Sequence, residues 1–393
     1  MKLYNTLSRS KETFKSLKPN EITLYVCGVT PYDTTHLGHA FTYTAFDVLY
    51  RFLKFQDYEI NYTQNVTDID DDILKRAAKN HRHSRASGNP ALSDNWKELG
   101  EFWTNKYVAD MQALNNVKPM HYVKATETMP TIIELIKKLV EDGYAYEKNG
   151  NVYFDVKKDK DYGKLSKYNR NQMLQLSAER GANPDDPNKK DPLDFILWQQ
   201  SKKDEPFWES PWSKGRPGWH IECSSMAYKY LDKKIDIHGG GSDLRFPHHE
   251  SEIAQSEAFT GLKPFSQFWM HTGTVMYDGE KMSKSLGNLV LVSDLLKKYS
   301  ANAIRYLLLS HHYREPWEYY QEDLDEAAET VKTIERKLKT KETTNKNTYL
   351  EQFTKALADD LDTPKALKIL NETIENGNTE EANKMMGVLG FKL

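Results

Sequence analysis

Residues 22–29 read ITLYVCGV, a run of β-branched and apolar side chains with a glycine near its end. A short run of this kind, bounded by a turn, is a buried strand. TPYDTTHLGHA follows as a turn. A helix then begins in which Phe41, Ala45, Val48, Phe52 and Phe55 step by four, three, four and three, forming one apolar face. YEINYTQNVTD, from residue 58, is a second strand-like run. Strand, turn, helix and strand make a βαβ unit, which implies a parallel sheet with a right-handed crossover.

Beyond this unit, residues 68–79 are acidic and then helical, and 80–95 (NHRHSRASGNPALSDN) breaks the pattern as a solvated loop. Residues 96–142 read as mostly helical, with IIELIKKLV (132–140) strongly amphipathic, and GNVYFDV (150–156) reads as a strand. A Pro/Asp-rich connector, GANPDDPNKKDP, covers 181–192. A second α/β section runs from about 215 to 275, and a polar linker, 340–348, interrupts a helical C-terminal part spanning 324–393. No internal repeat or low-complexity tract is present in the sequence.

The 393 residues carry 54 Lys plus Arg against 57 Asp plus Glu, a formal net charge of −3. That excludes a globally basic nucleic-acid coat but leaves room for a local basic face. No apolar run approaches the roughly 18 residues that a membrane helix needs. The first residues have no apolar stretch of signal-peptide type, so the expected location is the cytosol. The only two cysteines, Cys27 and Cys223, lie 196 positions apart, and in a reducing compartment a structural disulfide is not expected.

Four groups of residues carry chemistry. HLGHA (36–40) sits between the first strand and its helix, where unsatisfied N–H groups and the positive end of the helix dipole suit phosphate. Gly38 allows close backbone approach there, and His36 and His39 can donate to phosphate oxygens; alone, the pair reads more readily as surface histidines. KMSKS (281–285) brackets a small polar turn with Lys281 and Lys284, which suit a departing pyrophosphate. Joined to HLGH in this order, 245 residues apart, it is a far stronger signal than a basic loop. FPHHESEIAQSEA (246–258) reads as a helix with Pro247 in its first turn, and His248 and Glu252 share one face. With Cys27 and Cys223, both read as lying at strand ends, they are plausible zinc ligands; His249 and Glu250 are alternatives on another face. GWHIECS (218–224) and IHGGGSDL (237–244) form the last group. Gly239, Gly240 and Gly241 permit close approach of a nucleotide or amino acid. Asp243 can accept from ribose hydroxyls or an ammonium, and Trp219 can wall a small pocket, although a core tryptophan is the commoner use.

Together these motifs, YVCGVTPYDTTHLGHA, NVTDIDD, GRPGWHIECSSM, DIHGGGSDLRFPHHESEIAQ and KMSKSLGN, resemble the class I cysteinyl-tRNA synthetases in family order over nearly the whole chain. The resemblance implies an α/β fold: a Rossmann-type parallel core split by an inserted domain, then a connecting fold and a C-terminal helical bundle. The implied division is 1–120 and 215–270 for the core, 121–214 for the insertion, 271–323 for the connecting fold with KMSKS, and 324–393 for the bundle. It places the zinc ligands on Cys27, Cys223, His248 and Glu252. Adenylate and amino-acid contacts fall on Gly28, Thr30, Thr42, Trp219, Gly241, Ser242, Asp243 and Val275, and ATP handling on His36, His39, Lys281 and Lys284. The implied cofactors are one Zn²⁺ per chain and Mg²⁺ with ATP; the implied partners are ATP, L-cysteine and cysteine tRNA, with the chain a monomer.

The expected activity is that of an aminoacyl-tRNA synthetase serving protein biosynthesis: activation of cysteine to cysteinyl-adenylate, then transfer to the tRNA 3′ end. A pocket that reads shape alone separates near-isosteres only about 10²-fold, whereas zinc prefers a thiolate to serine's harder hydroxyl. An acceptor stem calls for a basic rim, for which Lys189, Lys190, Lys202, Lys203, Lys233 and Lys234 are candidates, although such pairs are more often solvated surface. CGVTPYDTTHLGHA, MLQLSAERGANPDD, GNLVLVSDLL and ADDLDTPKAL are more similar to the related mycothiol cysteine ligases, which pass activated cysteine to a small-molecule amine. The chain ends at GVLGFKL, which reads as a shortened C-terminus against the synthetase pattern, while Glu252 and His238 follow the synthetase pattern. A non-catalytic, zinc-containing paralogue is the third reading, and intact HLGH and KMSKS argue against it.

Overall fold

A computed structural model describes residues 1–80, 91, 93–282, 286–339 and 349–392. Five strands form one parallel sheet in the spatial order Ser266–Thr272, Ile235–Gly241, Glu21–Val29, Glu59–Val66, His121–Lys124. The strand order reverses between Glu21–Val29 and Ile235–Gly241, and in such sheets the crevice at the carboxyl ends of that pair is the ligand site. Both strands end on residues singled out in the sequence, Cys27 with Gly28 and Gly241.

The Leu37–Phe55 helix crosses between the first two strands with Phe41, Ala45, Val48 and Phe52 buried on the expected face. Bare Cα atoms let it seat closely: a Cβ on Gly239 would lie 2.1 Å from the Phe46 ring. So Gly239 serves helix-to-sheet packing, where the sequence reading gave it to a ligand. The opposite face of the sheet is covered by Met129–Glu141, Trp219–Tyr230 and His248–Thr260 around Ile132, Leu135, Ile221, Met226 and Ile253. Cys223 lies inside the Trp219–Tyr230 helix, not at a strand end; the alternation of HIEC was taken for a strand where the helix is buried on nearly every side.

Residues 96–142, read as mostly helical, contain the helices Trp96–Ala113 and Met129–Glu141 with the sheet's edge strand, His121–Lys124, between them. A four-stranded antiparallel sheet, Ala145–Lys148, Asn151–Phe154, Phe195–Gln200 and Gly215–Pro217, is inserted before the chain returns to the core. Residues 81–90 of the proposed loop, and the 340–348 linker, lie outside the described residues. No described helix is long and apolar enough to cross a membrane.

The C-terminal helices, from Ala301–Leu309 to Thr379–Leu389, pack on the same core as Leu37–Phe55. Arg305, fully buried, joins the two bodies. It donates to Asp47 Oδ2 (2.6 Å) of the first helix, to Leu114 O (2.9 Å) and Asn116 Oδ1 (2.6 Å), and to Leu389 O (2.7 Å). A Cβ on Gly390, at φ 71°, would strike the same guanidinium. Removing one partner of a buried pair strands the other charge, so Arg305→Met is expected to cost roughly 3 kcal/mol in urea unfolding. Addition of Asp47→Leu is expected to restore part of that loss in a double-mutant cycle.

At the turn into Asp71–Asn80, burial pushes the Asp70 carboxyl up to about 6. The folded state then holds this proton more tightly than the unfolded chain does, so stability is lost as pH rises from about 4 through 6. Asp70→Asn is expected to gain stability relative to the parent at pH 8 but not at pH 4, read from urea midpoints at the two values.

Candidate active site

A cleft of about 630 Å³ opens at the reversal of strand order. Cys27, Gly28 and Thr30 line it from the first strand and its turn; His36, His39 and Thr42 from the following helix; Trp219, Gly241, Ser242 and Asp243 from the second α/β section; Val275 and Lys281 from beyond it. Lys284 lies outside the described residues.

His36 is the N-cap of Leu37–Phe55. Its Nδ1 accepts from Gly38 N (3.1 Å), and its own N–H is directed at His39 Nδ1 (3.4 Å), a reciprocal capping pair. With both Nδ1 atoms accepting, Nε2 of each ring is the nitrogen left to donate. A Cβ on Gly38 would lie 2.9 Å from the His36 ring, so this glycine makes room for the cap itself. The HLGH helix start and the segment after KMSKS are stapled through main chain: Leu37 N donates to Val290 O (2.9 Å) and Val292 N to Thr35 O (3.1 Å). The segment after KMSKS is thereby held on the helix start that carries HLGH.

Lys281 Nζ lies 2.8 Å from Asp243 Oδ2, both side chains about half exposed. Burial pushes the Asp243 carboxyl up, but Lys281 and Arg180 outweigh it and hold the group below its ordinary value. A pair this exposed contributes under about 1 kcal/mol, so a polyphosphate can draw Lys281 away. Arg180, from the inserted region, donates to the carbonyls of Asp243 and Phe246 and holds the turn that carries Ser242 and Asp243. Thr42 Oγ1 is 2.7 Å from Thr272 Oγ1, and Ser242 Oγ is 3.3 Å from Thr274 Oγ1. Gly28 must be bare because a Cβ would meet Asn65 O at 1.7 Å, while its N–H donates to Asn65 Oδ1 (2.7 Å).

Behind the cleft floor, Cys27 Sγ lies 3.9 Å from Cys223 Sγ and 3.5 Å from Glu252 Oε1, which is 3.1 Å from His248 Nε2. All four residues are buried, and their donor atoms lie within 4.8 Å of one another. Of the two alternatives, His249 joins a second overlapping set with Cys27, His238 and Glu252. Glu250 does not: its carboxylate accepts from Leu165 N (3.2 Å) and Ser166 N (2.8 Å). Burial pushes the thiols of Cys27 and Cys223 and the Glu252 carboxyl up, and the His248 and His249 imidazoles down. Glu252 Oε2 and His238 Nδ1 are buried without a hydrogen-bond partner. Two sulfurs, an imidazole and a carboxylate converging with an orphaned oxygen form a donor set that suits a zinc ion.

A shell surrounds this set, of which sequence reasoning missed His220 and His271. His248 Nδ1 lies 2.9 Å from His220 Nδ1, and Trp219 stacks on the His248 ring at 4.1 Å. His249 Nδ1 is 2.8 Å from His271 Nε2, whose Nδ1 is 2.8 Å from Thr6 Oγ1. For His271 the available signal was a histidine within the otherwise apolar run FWMHT.

The lysines proposed for an RNA rim are scattered. Lys190 stacks on Tyr146 at 4.0 Å and Lys189 is partly buried, while Lys202 and Lys203 flank an open groove with Phe207 and Lys214. Lys233 is exposed and Lys234 half-buried.

The family model described as tRNA synthetases class I (C) catalytic domain matches residues 13–329. A protein of Shewanella denitrificans described as cysteine–tRNA ligase is 44% identical over 391 residues, 98% of this chain and 81% of that one. A second of the same description, from Carboxydothermus hydrogenoformans, is 43% identical over 397 residues, covering 98% and 82%. Among solved structures, a Mycobacterium tuberculosis methionyl-tRNA synthetase in complex with methionyl-adenylate superposes with a TM-score of 0.62 at 16% identity, over 94% of this chain and 84% of that one; this similarity shows a shared fold. The small-molecule cysteine ligase reading is not favoured by these relatives. With identity at this level over nearly its full length, the chain belongs to the class I aminoacyl-tRNA synthetases and, within them, to the cysteine–tRNA ligases.

Proposed function

We propose that the cleft binds ATP and L-cysteine side by side, forms cysteinyl-adenylate with release of pyrophosphate, and passes the cysteinyl group to the 3′-terminal ribose of cysteine tRNA. The observation that carries this reading is the meeting of three features in one crevice: the buried two-sulfur donor set reached through Cys27, the HLGH helix start, and Lys281. In the same reading the chain works as a monomer in the cytosol, with Mg²⁺ accompanying ATP.

In the first step the cysteine carboxylate attacks the α-phosphorus in line, and the bond to the bridging oxygen of pyrophosphate breaks. The substrate supplies its own nucleophile, so the protein contributes positioning and charge stabilisation. His36 and His39, protonated on Nε2, donate to phosphate oxygens. Lys281 and Lys284 balance the charge that collects on the leaving pyrophosphate. The bare backbone at Gly28 and Gly241, with Thr30, Thr42, Ser242 and Val275, shapes the seat for adenylate and amino acid. Asp243, relieved of Lys281, accepts from a ribose hydroxyl or the substrate ammonium. In the second step a ribose hydroxyl attacks the adenylate carbonyl and AMP departs.

A zinc ion held by Cys27, Cys223, His248 and Glu252 would supply a soft cationic partner for the substrate thiolate that serine's hydroxyl matches poorly. Trp219, stacked on His248, closes the side of that seat. Of the rim lysines, Lys202 and Lys203 are both exposed beside one open groove, which suits an acceptor stem.

Cysteine-dependent exchange of pyrophosphate into ATP, followed by charging of a total tRNA pool with labelled cysteine, tests the reading. Charging of cysteine tRNA is expected; exchange without it, together with transfer to glucosaminyl-inositol, would overturn the tRNA assignment. Cys223→Ser is expected to lose zinc and to raise the KM for cysteine at least about tenfold while leaving the KM for ATP nearly unchanged. Lys281→Ala is expected to lower the exchange kcat by about 10²-fold, the scale of one lost transition-state donor, with zinc content intact.

A further inference from the structure

The proposed transfer needs the 3′-terminal ribose of the RNA inside the cleft, so the unpaired nucleotides before it must leave along a cleft wall. The Trp96–Ala113 helix forms part of one such wall: Trp103 and Tyr107, four apart on one face, line the cleft. Seven positions before Trp103 on that face, Trp96 lines an open groove of about 600 Å³ together with Lys202, Lys203, Phe207 and Lys214. At about 1.5 Å per residue the two tryptophans stand about 10 Å apart along the helix, the rise of about three stacked nucleotides.

Phe207 is 49% exposed in that groove. Single exposed phenylalanines are ordinary, but this one is held in place from both sides. Ser201 Oγ donates to the Pro206 carbonyl (2.6 Å), and Trp208 and Gly215 exchange main-chain bonds (2.7 and 3.0 Å). The Trp208 ring meets the Trp96 ring edge-on at 6.5 Å. Lys214 Nζ lies 4.8 Å from the centre of the Phe207 ring, and Lys202 and Lys203 are exposed beside it. Of the two acids in the lining, Glu205 accepts from the Lys202 main-chain N–H (3.0 Å) and lies 4.0 Å from Arg216. Arg216 also pairs with Asp71, next to Asp72 of the cleft lining, so the groove is tied to the cleft. A fixed, half-exposed ring among ammonium groups offers an unpaired nucleotide a face for its base and charge for its phosphate.

We infer that Phe207 is a stacking platform for an unpaired base near the 3′ end of the tRNA, with Lys202, Lys203 and Lys214 facing the neighbouring phosphates and the Trp96-to-Trp103 face leading the end into the cleft. This rests on the proposal that a tRNA is the acceptor. Every base has a π-face, so stacking tolerates any sequence: the platform positions the end without reading it.

The test is the Kd of the full chain for cysteine tRNA at fixed salt, with the RNA intact and with its unpaired 3′ end trimmed away. Phe207→Ala is expected to weaken binding of intact tRNA about tenfold, the scale of one lost base–aromatic stack, and to bind trimmed tRNA as the parent does. Phe207→Trp is expected to keep the parent affinity, whereas Phe207→Leu, apolar but without a π-face, is expected to lose most of what Phe207→Ala loses. Parent-like affinity in Phe207→Ala or in Phe207→Leu would overturn the inference. So would a loss of equal size on intact and trimmed tRNA, since the ring would then meet the stem. A parent chain that neither binds nor charges tRNA would overturn the tRNA reading itself, and the platform with it; a parent that charges tRNA while Phe207→Ala binds it equally well would overturn the platform alone.

Discussion

The His248–Thr260 helix is buried on nearly every side although it is largely polar: His248, His249, Glu250, Ser251, Glu252, Gln255, Ser256 and Glu257 are all buried. Burying such groups is costly unless each finds a partner. Most do. Glu250 caps main chain at Leu165 and Ser166, Gln255 Nε2 donates to His220 O (2.6 Å), Ser256 donates to Ser224 Oγ (2.9 Å), and Glu257 pairs with Lys164. What remains is Gln255 Oε1 and Glu252 Oε2, the latter beside two thiols and the rings of His238, His248 and His249. That unmet polarity is gathered behind the cleft floor, in a donor set of the kind that suits a soft divalent cation.

The sheet decides where this set opens. Cys27 belongs both to the buried cluster and to the cleft wall, because its strand ends where the strand order reverses. On the far side of the crevice, main-chain bonds hold the segment after KMSKS to the helix that begins at HLGH. Arg305 ties the C-terminal helices to Asp47 on that same helix. The donor set and the HLGH–KMSKS end of the cleft thus share one frame.

Much of this frame was legible in the residues. The buried run at 22–29 and the four-three stepping from Phe41 to Phe52 directly specify a strand and a helix, because side-chain period maps onto burial. His248 and Glu252 were legible as one face through their spacing of four. Cys223 was misplaced because the WHIECSSMAYKY helix is buried on most sides and shows little helical period. The four-residue His121–Lys124 strand was absorbed into flanking helices, being too short to show a period of its own. Gly239 was read as a ligand approach, yet its bare Cα accommodates the Phe46 ring, whereas Gly38 both lines the cleft and makes room for the His36 ring. The pairing of Asp243 with Lys281, and the histidine shell from His220 to His271, join residues far apart in the chain, which no local pattern can announce.

X-ray absorption at the zinc edge, recorded on the purified chain without and with L-cysteine, tests the central claim most directly. The account predicts one zinc per chain with two sulfurs at about 2.3 Å, and a third sulfur at the same distance once cysteine, but not serine, is added. A sulfur count that stays at two in the presence of saturating cysteine would contradict it: the ion would then hold the fold together without touching the substrate.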